Sequence, residues 1–96
     1  MADIWLVGAG AIAIRYSKVL DALKREYITI GRGHENAMAY FEATGKEAIE
    51  GGIDAFLATK PDRAECAIVA VNVNCLASTT ISLMNYGVKR IFCEKP

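Results

Sequence analysis

The chain lacks a long hydrophobic run, an excess of one charge and a basic leader. No apolar segment approaches the roughly 20 residues that a membrane-spanning helix needs. The start, Met1 to Asp3, lacks the positive charges that open a secretory signal. Eleven basic residues balance eleven acidic ones, so no net field attracts nucleic acid or an anionic membrane. We therefore expect a cytoplasmic protein with no nucleic-acid and no membrane partner.

Cysteine and histidine are also scarce. The cysteines are Cys66, Cys75 and Cys93, and their spacing fits neither a zinc site nor a redox pair. We expect them to be small buried hydrophobic residues in a reducing compartment, and we expect no metal site. The only histidine, His34, precedes a predicted helix and is expected on the surface or at the helix start.

The 96 residues are 53% hydrophobic and 23% charged, which predicts one folded domain or part of one. Strand-like and helix-like segments alternate along it, without repeats or linkers. Strands are predicted at Asp3–Val7, Tyr27–Ile30, Cys66–Val71 and Lys89–Cys93, with a weaker one at Lys46–Glu50. Helices are predicted at Ala11–Arg25, Glu35–Thr44, Ile53–Thr59 and Leu76–Tyr86. This alternation predicts an α/β fold, a doubly wound parallel sheet with right-handed crossovers and strand order 3-2-1-4-5.

Apolar spacing predicts which helix faces are buried. The first helix should bury Ile12, Tyr16, Val19, Leu20 and Leu23. Phe41 in the second helix and Met84 in the last are also expected to point inward. Trp5 and Tyr16 are expected in the core rather than at a ligand.

A glycine-rich turn joins the first strand to the first helix. Its residues are Gly8, Ala9, Gly10, Ala11, Ile12 and Ala13. The pattern G-x-G-x-x-A between a strand and a helix is typical of a dinucleotide-binding unit. Gly8 permits the sharp turn, Gly10 leaves room for a pyrophosphate, and Ala13 allows the helix to pack closely on the strand. The N–H groups of the helix start, at Ala11 and Ile12, then face the phosphates.

The end of the second strand bears on the choice between NAD and NADP. A site for NAD usually has Asp or Glu there to hold the ribose hydroxyls. This chain has Gly31 and Arg32 instead, and an arginine pairs with a 2′-phosphate and stacks on adenine. We therefore predict NADP, with NAD as the alternative and Glu35 as the acid that would serve it.

Two further loops meet the glycine turn at the carboxyl ends of the strands. After the fourth strand, Asn72 and Asn74 are candidates to bind a ribose or the nicotinamide amide, and Asn74 is an equal candidate to cap the following helix. After the fifth strand comes Glu94-Lys95-Pro96. A ligand on the glycine turn is expected to touch both loops.

The last eleven residues, from Tyr86 to Pro96, resemble the corresponding motif of the Gfo/Idh/MocA oxidoreductases. The resemblance extends from Gly8 to Pro96 and implies a Rossmann-like nucleotide-binding domain. It also implies that Lys95 is a catalytic lysine near the nicotinamide, with Glu94 orienting it and a cis bond between Lys95 and Pro96. The implied reaction moves a hydride between NAD(P) and a hydroxyl of a sugar, cyclitol or nucleotide sugar.

Two departures from that family stand out. Relatives often have Thr-Pro-Asn and a histidine after the fourth strand, and this chain has neither. The family also continues beyond Pro96, so we expect residues 1–96 to be an incomplete domain that precedes a substrate domain, inactive alone and homo-oligomeric at full length. The fifth strand would then be an open edge that favours self-association. The alternative is a non-catalytic nucleotide-binding or sensing module.

Overall fold

The computed structural model describes residues 3–94, in which five strands and four helices alternate. The strands are β1 (Ile4–Val7), β2 (Tyr27–Ile30), β3 (Ala48–Ile49), β4 (Cys66–Val69) and β5 (Arg90–Cys93). The helices are α1 (Ala11–Ala22), α2 (His34–Thr44), α3 (Gly52–Ala58) and α4 (Val73–Tyr86). The predicted alternation is confirmed.

All five strands are parallel and lie in the order β3-β2-β1-β4-β5. Val7 at the end of β1 is level with Ile30 on β2 and with Val69 on β4. The carboxyl ends of these three strands are therefore flush. The strands after β1 are added on one side of it up to β3, and the chain then crosses to place β4 on the other side, so the strand order reverses between β1 and β4. The fold is a doubly wound, Rossmann-like α/β sheet, as predicted.

Residues of β1 alternate between two core layers, because successive side chains of a strand point to opposite faces. Trp5 and Val7 face α3 and α4, and the Trp5 ring packs edge-on against Phe56 with centroids 5.0 Å apart. Leu6 faces α1 and α2, where it packs with Ala13. Burial on both faces explains why β1 is entirely apolar, and it confirms Trp5 as a core residue.

A buried hydroxyl network joins α1, β2 and α2. The Tyr40 hydroxyl is hydrogen-bonded to the Ser17 hydroxyl and, at 2.7 Å, to the Thr29 hydroxyl. All three residues are buried. Because each hydroxyl has a partner, the polar groups are buried without the cost of an unmade hydrogen bond.

The predicted inward face of α1 is wrong. Of its five residues only Leu20 is buried, while Val19 and Leu23 are 55% and 65% exposed. The buried face instead contains Ala13 and Ser17, which are small enough to bring the helix close to the sheet. Phe41 and Met84 are likewise exposed, contrary to prediction.

Several element boundaries also differ from prediction. Helix α1 ends at Ala22, three residues early, and β4 ends at Val69 rather than Val71. Helix α4 begins at Val73, three residues before the predicted start, because Asn72 already accepts a hydrogen bond from the Cys75 backbone N–H at 2.8 Å.

Candidate functional site

A cavity of about 280 Å³ opens at the carboxyl ends of β1 and β4. Its lining comes mainly from the glycine turn after β1, the loop after β2, the start of α3, and the loop after β4 together with the first turns of α4. Ligands of doubly wound sheets bind at such a reversal of strand order. Three of these segments were singled out from the sequence, and the start of α3 was not.

The glycine turn forms one wall of this cavity. Gly8 has φ +127°, and a Cβ there would lie 2.3 Å from the Ala70 carbonyl oxygen, so the position excludes any side chain. Gly10 is the N-cap of α1 without a side-chain hydrogen bond, and a Cβ there would meet nothing within 4 Å. Ala11 and Ile12 also line the cavity. The start of α1 thus presents unpaired N–H groups to open space.

Ala13 lies away from the cavity. It is fully buried between α1 and the sheet, in the packing role that the sequence predicts for the third small position.

The loop after β2 also lines the cavity. Gly31 packs closely, since a Cβ there would lie 2.8 Å from that of Ala9. The Arg32 guanidinium donates a hydrogen bond to the Cys75 sulfur, 3.2 Å away on α4. Glu35 is an exposed residue of α2 and is not among the residues lining the cavity. The carboxylate that does line it is Asp54 on α3, which accepts a hydrogen bond from the Ser82 hydroxyl at 2.7 Å.

The two asparagines after β4 occupy different positions. Asn72 is the N-cap of α4 and lines the cavity. Asn74 is the second residue of α4, exposed and outside the cavity lining. The alternative in which Asn74 caps the helix is therefore wrong, because the helix begins earlier than predicted.

Glu94 follows β5 and is tied to the neighbouring strand, since its backbone N–H donates to the Val69 carbonyl at 2.9 Å. Its carboxylate accepts a hydrogen bond from the Tyr16 hydroxyl of α1. This hydrogen bond is the main reason why the pKa of Tyr16 is raised above its ordinary value. Tyr16 is half-buried and packs against the core cluster that contains Leu6 and Ala13, as predicted, while its hydroxyl reaches the loop after β5. Lys95 and Pro96, and the predicted cis bond between them, lie outside the described residues.

The cysteines differ from the expected buried set. Cys93 is exposed, and Cys75 is half-buried and lines the cavity. Cys66 is also half-buried rather than buried, and this partial burial raises the pKa of its thiol. Cys75 was missed as a site residue since its proximity to Arg32 depends on two elements 43 positions apart.

Gly51, Gly52 and Asp54 were missed for a similar reason. They follow β3, whose sequence signal is weak, and they reach the cavity only because β3 is the neighbour of β2. The paired glycines were the available signal, since both adopt positive φ.

Residues 3–94 contain neither a cluster of metal ligands nor a membrane-spanning helix. No group of three or more His, Cys, Asp or Glu side chains there is arranged to hold a metal ion. None of the described helices combines the length and the apolar character required to cross a membrane.

Together these features define a class of domain: a Rossmann-like α/β domain with a glycine turn at the cavity between β1 and β4. Solved structures that share this fold include two WlbA dehydrogenases, each in complex with NADH and UDP-GlcNAcA. The enzyme from Chromobacterium violaceum has a TM-score of 0.72 and 21% identity, over 99% of this chain and 27% of its own. The enzyme from Bordetella pertussis has a TM-score of 0.73 and 19% identity, over 100% of this chain and 29% of its own.

The present chain thus spans less than a third of either dehydrogenase. At this identity the likeness shows the fold alone, and it confirms the predicted Rossmann-like α/β fold. No family model and no curated protein matches the sequence.

Proposed function

We propose that this chain is the nucleotide-binding domain of a nicotinamide-dependent oxidoreductase of the Gfo/Idh/MocA type. The observation that carries the proposal is the open space over Gly10 at the start of α1, within the cavity between β1 and β4. Both structural neighbours contain NADH, which supports a nicotinamide cofactor here. The unpaired thiols of residues 3–94 fit the reducing cytoplasm.

The pyrophosphate of the cofactor would lie over the segment from Gly8 to Ala13. The N–H groups at the start of α1 and the positive end of its dipole favour phosphate there. Asn72, which also lines the cavity, is the candidate to bind the ribose or the nicotinamide amide. Asn74 would need the helix start to move before it reached the cavity.

NADP is the preferred cofactor in this proposal. Arg32 is the cation at the end of β2, and a guanidinium forms bidentate hydrogen bonds with a phosphate. The alternative, NAD, is supported by Asp54, whose carboxylate also lines the cavity. Titration with each cofactor distinguishes them, because an Arg32→Ala variant should lose affinity for NADP and retain it for NAD.

The catalytic part of the proposal concerns Lys95 and Glu94. A bound nicotinamide accepts or donates a hydride, and a lysine beside it stabilises the charge that develops on a substrate oxygen. The hydrogen bond from Tyr16 and the backbone bond to Val69 fix Glu94, which suits a residue that orients its neighbour. The substrate class, a sugar, cyclitol or nucleotide sugar, is supported by the UDP-GlcNAcA bound in both neighbours.

The proposed position of the pyrophosphate is tested by Gly10→Val. The added side chain would fill open space over the helix start, so we expect the fold to persist and cofactor binding to be lost. Gly33→Val is the matched control, because Gly33 is also an extended N-cap glycine with nothing within 4 Å of its Cβ position. Equal affinity of wild type and Gly10→Val in a fluorescence titration with NADPH would show that the cofactor binds elsewhere.

Turnover separates the oxidoreductase from a non-catalytic binding module. Hydride transfer requires cofactor and substrate held in close geometry, and we expect residues 1–96 to bind cofactor without reducing it. A protein that continues beyond Pro96 should reduce NADP with a sugar-like substrate and should lose most of that rate on Lys95→Ala. Reduction of NADP by the 96-residue chain alone, measured by absorbance, would contradict the proposal that a second domain is needed to hold the substrate.

A further inference from the structure

We propose that Gly52 and Cys75 are positioning residues for Arg32 and thereby set the preference for NADP over NAD. This inference rests on the proposed function and extends it to two residues on elements outside the glycine turn. Arg32 extends from the end of β2 towards the first turn of α4, where its Nη1 lies 3.2 Å from the Cys75 sulfur. Its side chain therefore spans one end of the cavity.

Gly52 provides the surface along which Arg32 lies. A Cβ built at Gly52 would be 3.3 Å from the Arg32 Cγ and 3.6 Å from its Nε, so the arginine packs where a side chain would otherwise project. The backbones are joined as well: Gly52 N–H donates to the Gly31 carbonyl at 2.8 Å, and Gly51 N–H donates to the Arg32 carbonyl at 3.2 Å. The start of α3 thus fixes both the backbone and the stem of Arg32.

The chemistry of Cys75 keeps the guanidinium available. A thiol is a weak hydrogen-bond acceptor, whereas a guanidinium has five donors. Within residues 3–94, Arg32 forms no ion pair with a carboxylate, and Asp54 in the same cavity is bonded to Ser82. A phosphate dianion is a far stronger acceptor than sulfur. The contact with Cys75 therefore orients Arg32 and yields readily to a 2′-phosphate.

A carboxylate at position 75 should reverse this effect. In Cys75→Asp the guanidinium would have a charged partner that competes with the 2′-phosphate and also repels it. We expect the Kd for NADP to rise at least tenfold while the Kd for NAD changes less than threefold. Cys75→Ser, which retains a neutral polar group, should leave the ratio of the two constants within about threefold of wild type.

Further variants separate the positioning of Arg32 from a general electrostatic effect. Ser78→Asp places the same charge one helical turn further along the cavity wall, and it should alter the NADP-to-NAD ratio much less. In an Arg32→Ala background, adding Cys75→Asp should change the ratio little, because the residue through which it acts is gone. Gly52→Ala should weaken NADP binding more than NAD binding. Gly45→Ala controls for backbone strain, because Gly45 is also at positive φ but lies outside the cavity lining and has nothing within 4 Å of its Cβ position.

The experiment is a set of titrations of the 96-residue chain with NADP and NAD, with folding of each variant checked by circular dichroism. The inference alone would be overturned if Cys75→Asp changed the ratio of the Kd values for NADP and NAD equally with and without Arg32. It would also be overturned if Ser78→Asp changed that ratio as much as Cys75→Asp does. Wild-type protein that binds neither cofactor would overturn the proposed function itself, and this inference with it.

Discussion

Gly8 shows how a single residue fixes the approach of two strands. Its φ of +127° is a conformation that side chains rarely adopt, and its Cβ position is 2.3 Å from the Ala70 carbonyl oxygen. Backbone strain and overpacking each cost about 1–3 kcal/mol. The residue therefore has a structural role that is distinct from the open position at Gly10.

We predict that Gly8→Ala lowers the free energy of unfolding by about 2 kcal/mol or more, because the Ala70 loop must move. For a domain of this size, that corresponds to a fall of about 10 °C in Tm. Gly10→Ala, with a φ of −87° and empty space around its Cβ, should cost less than about 1 kcal/mol. Thermal unfolding followed by circular dichroism compares the two, and equal losses would contradict the assignment of the close contact to Gly8.

The Tyr40 hydroxyl is hydrogen-bonded to the hydroxyls of Ser17 and Thr29. Tyr40→Phe leaves both partners buried with an unmade hydrogen bond, which should cost about 1–3 kcal/mol. Adding Thr29→Val should recover part of that loss, because removing both partners is less costly than removing one. Tyr27→Phe is the control, since its hydroxyl bonds to exposed Asp21. Urea denaturation measures each value, and a double variant less stable than Tyr40→Phe alone would count against the network.

At the scale of the elements, the order and type of strands and helices were predictable, because apolar runs and glycine breaks have clear periods. The face that each helix buries against the sheet was not predictable in the same way. In α1, the apolar residues at 12, 16, 19 and 23 match a buried stripe, yet the helix turns Ala13 and Ser17 to the sheet. Close packing of small residues decided the orientation, and hydrophobicity alone does not reveal it.

Residues of the candidate site were predictable only where a single continuous segment of the sequence marks them. Gly8, Gly10 and Arg32 were identified because a local pattern marks a turn or a strand end. Cys75 and Asp54 reach the cavity through the crossover connections of the sheet, and no local pattern encodes that placement.

An ion pair between two elements should produce a small acid dependence of stability. Lys46, between α2 and β3, lies 2.9 Å from Asp21 on α1, and this hydrogen bond is the main cause that lowers the pKa of Asp21 below its usual 3.8. The folded state therefore binds the Asp21 proton less readily than the unfolded state, so this stabilisation is present above about pH 4 and is lost as the pH falls through the lowered folded pKa.

We expect Asp21→Asn to be less stable than wild type at pH 7, by less than about 1 kcal/mol because the pair is partly exposed. The difference should shrink below about pH 4. Glu65→Gln, which removes a looser pair with Arg90 at 3.9 Å, should show no such trend. Urea denaturation at pH 7, 4 and 3 makes the comparison, and a difference that grows on acidification would contradict the assigned direction.

At the scale of the whole molecule, the apolar stripe of α1 and the edge strand β5 lie on one side of the sheet. The stripe consists of Ile12, Tyr16, Val19 and Leu23, and all of these except the half-buried Tyr16 are exposed. Phe92 on β5 is level with Ile68 on β4, which is level with Leu6, so Phe92 points to the same face as α1. It is 60% exposed. Tyr16, in the middle of the stripe, reaches Glu94 just after β5. The stripe therefore faces β5, and together they form an apolar surface next to an unpaired strand, a combination that favours association.

We predict that the 96-residue chain self-associates at micromolar concentrations through this surface. Val19→Glu should weaken the association about tenfold or more, since burying one apolar side chain contributes about 1.5–3 kcal/mol and 1.4 kcal/mol is a factor of ten. Glutamate has a higher helix propensity than valine, so the folded monomer should not be destabilised. Met38→Glu on α2, where Met38 is also exposed, is the matched control. Sedimentation velocity over a concentration series measures the effect, and a wild-type chain that stays monomeric, or a Met38→Glu variant that dissociates equally, would show that this surface does not drive association.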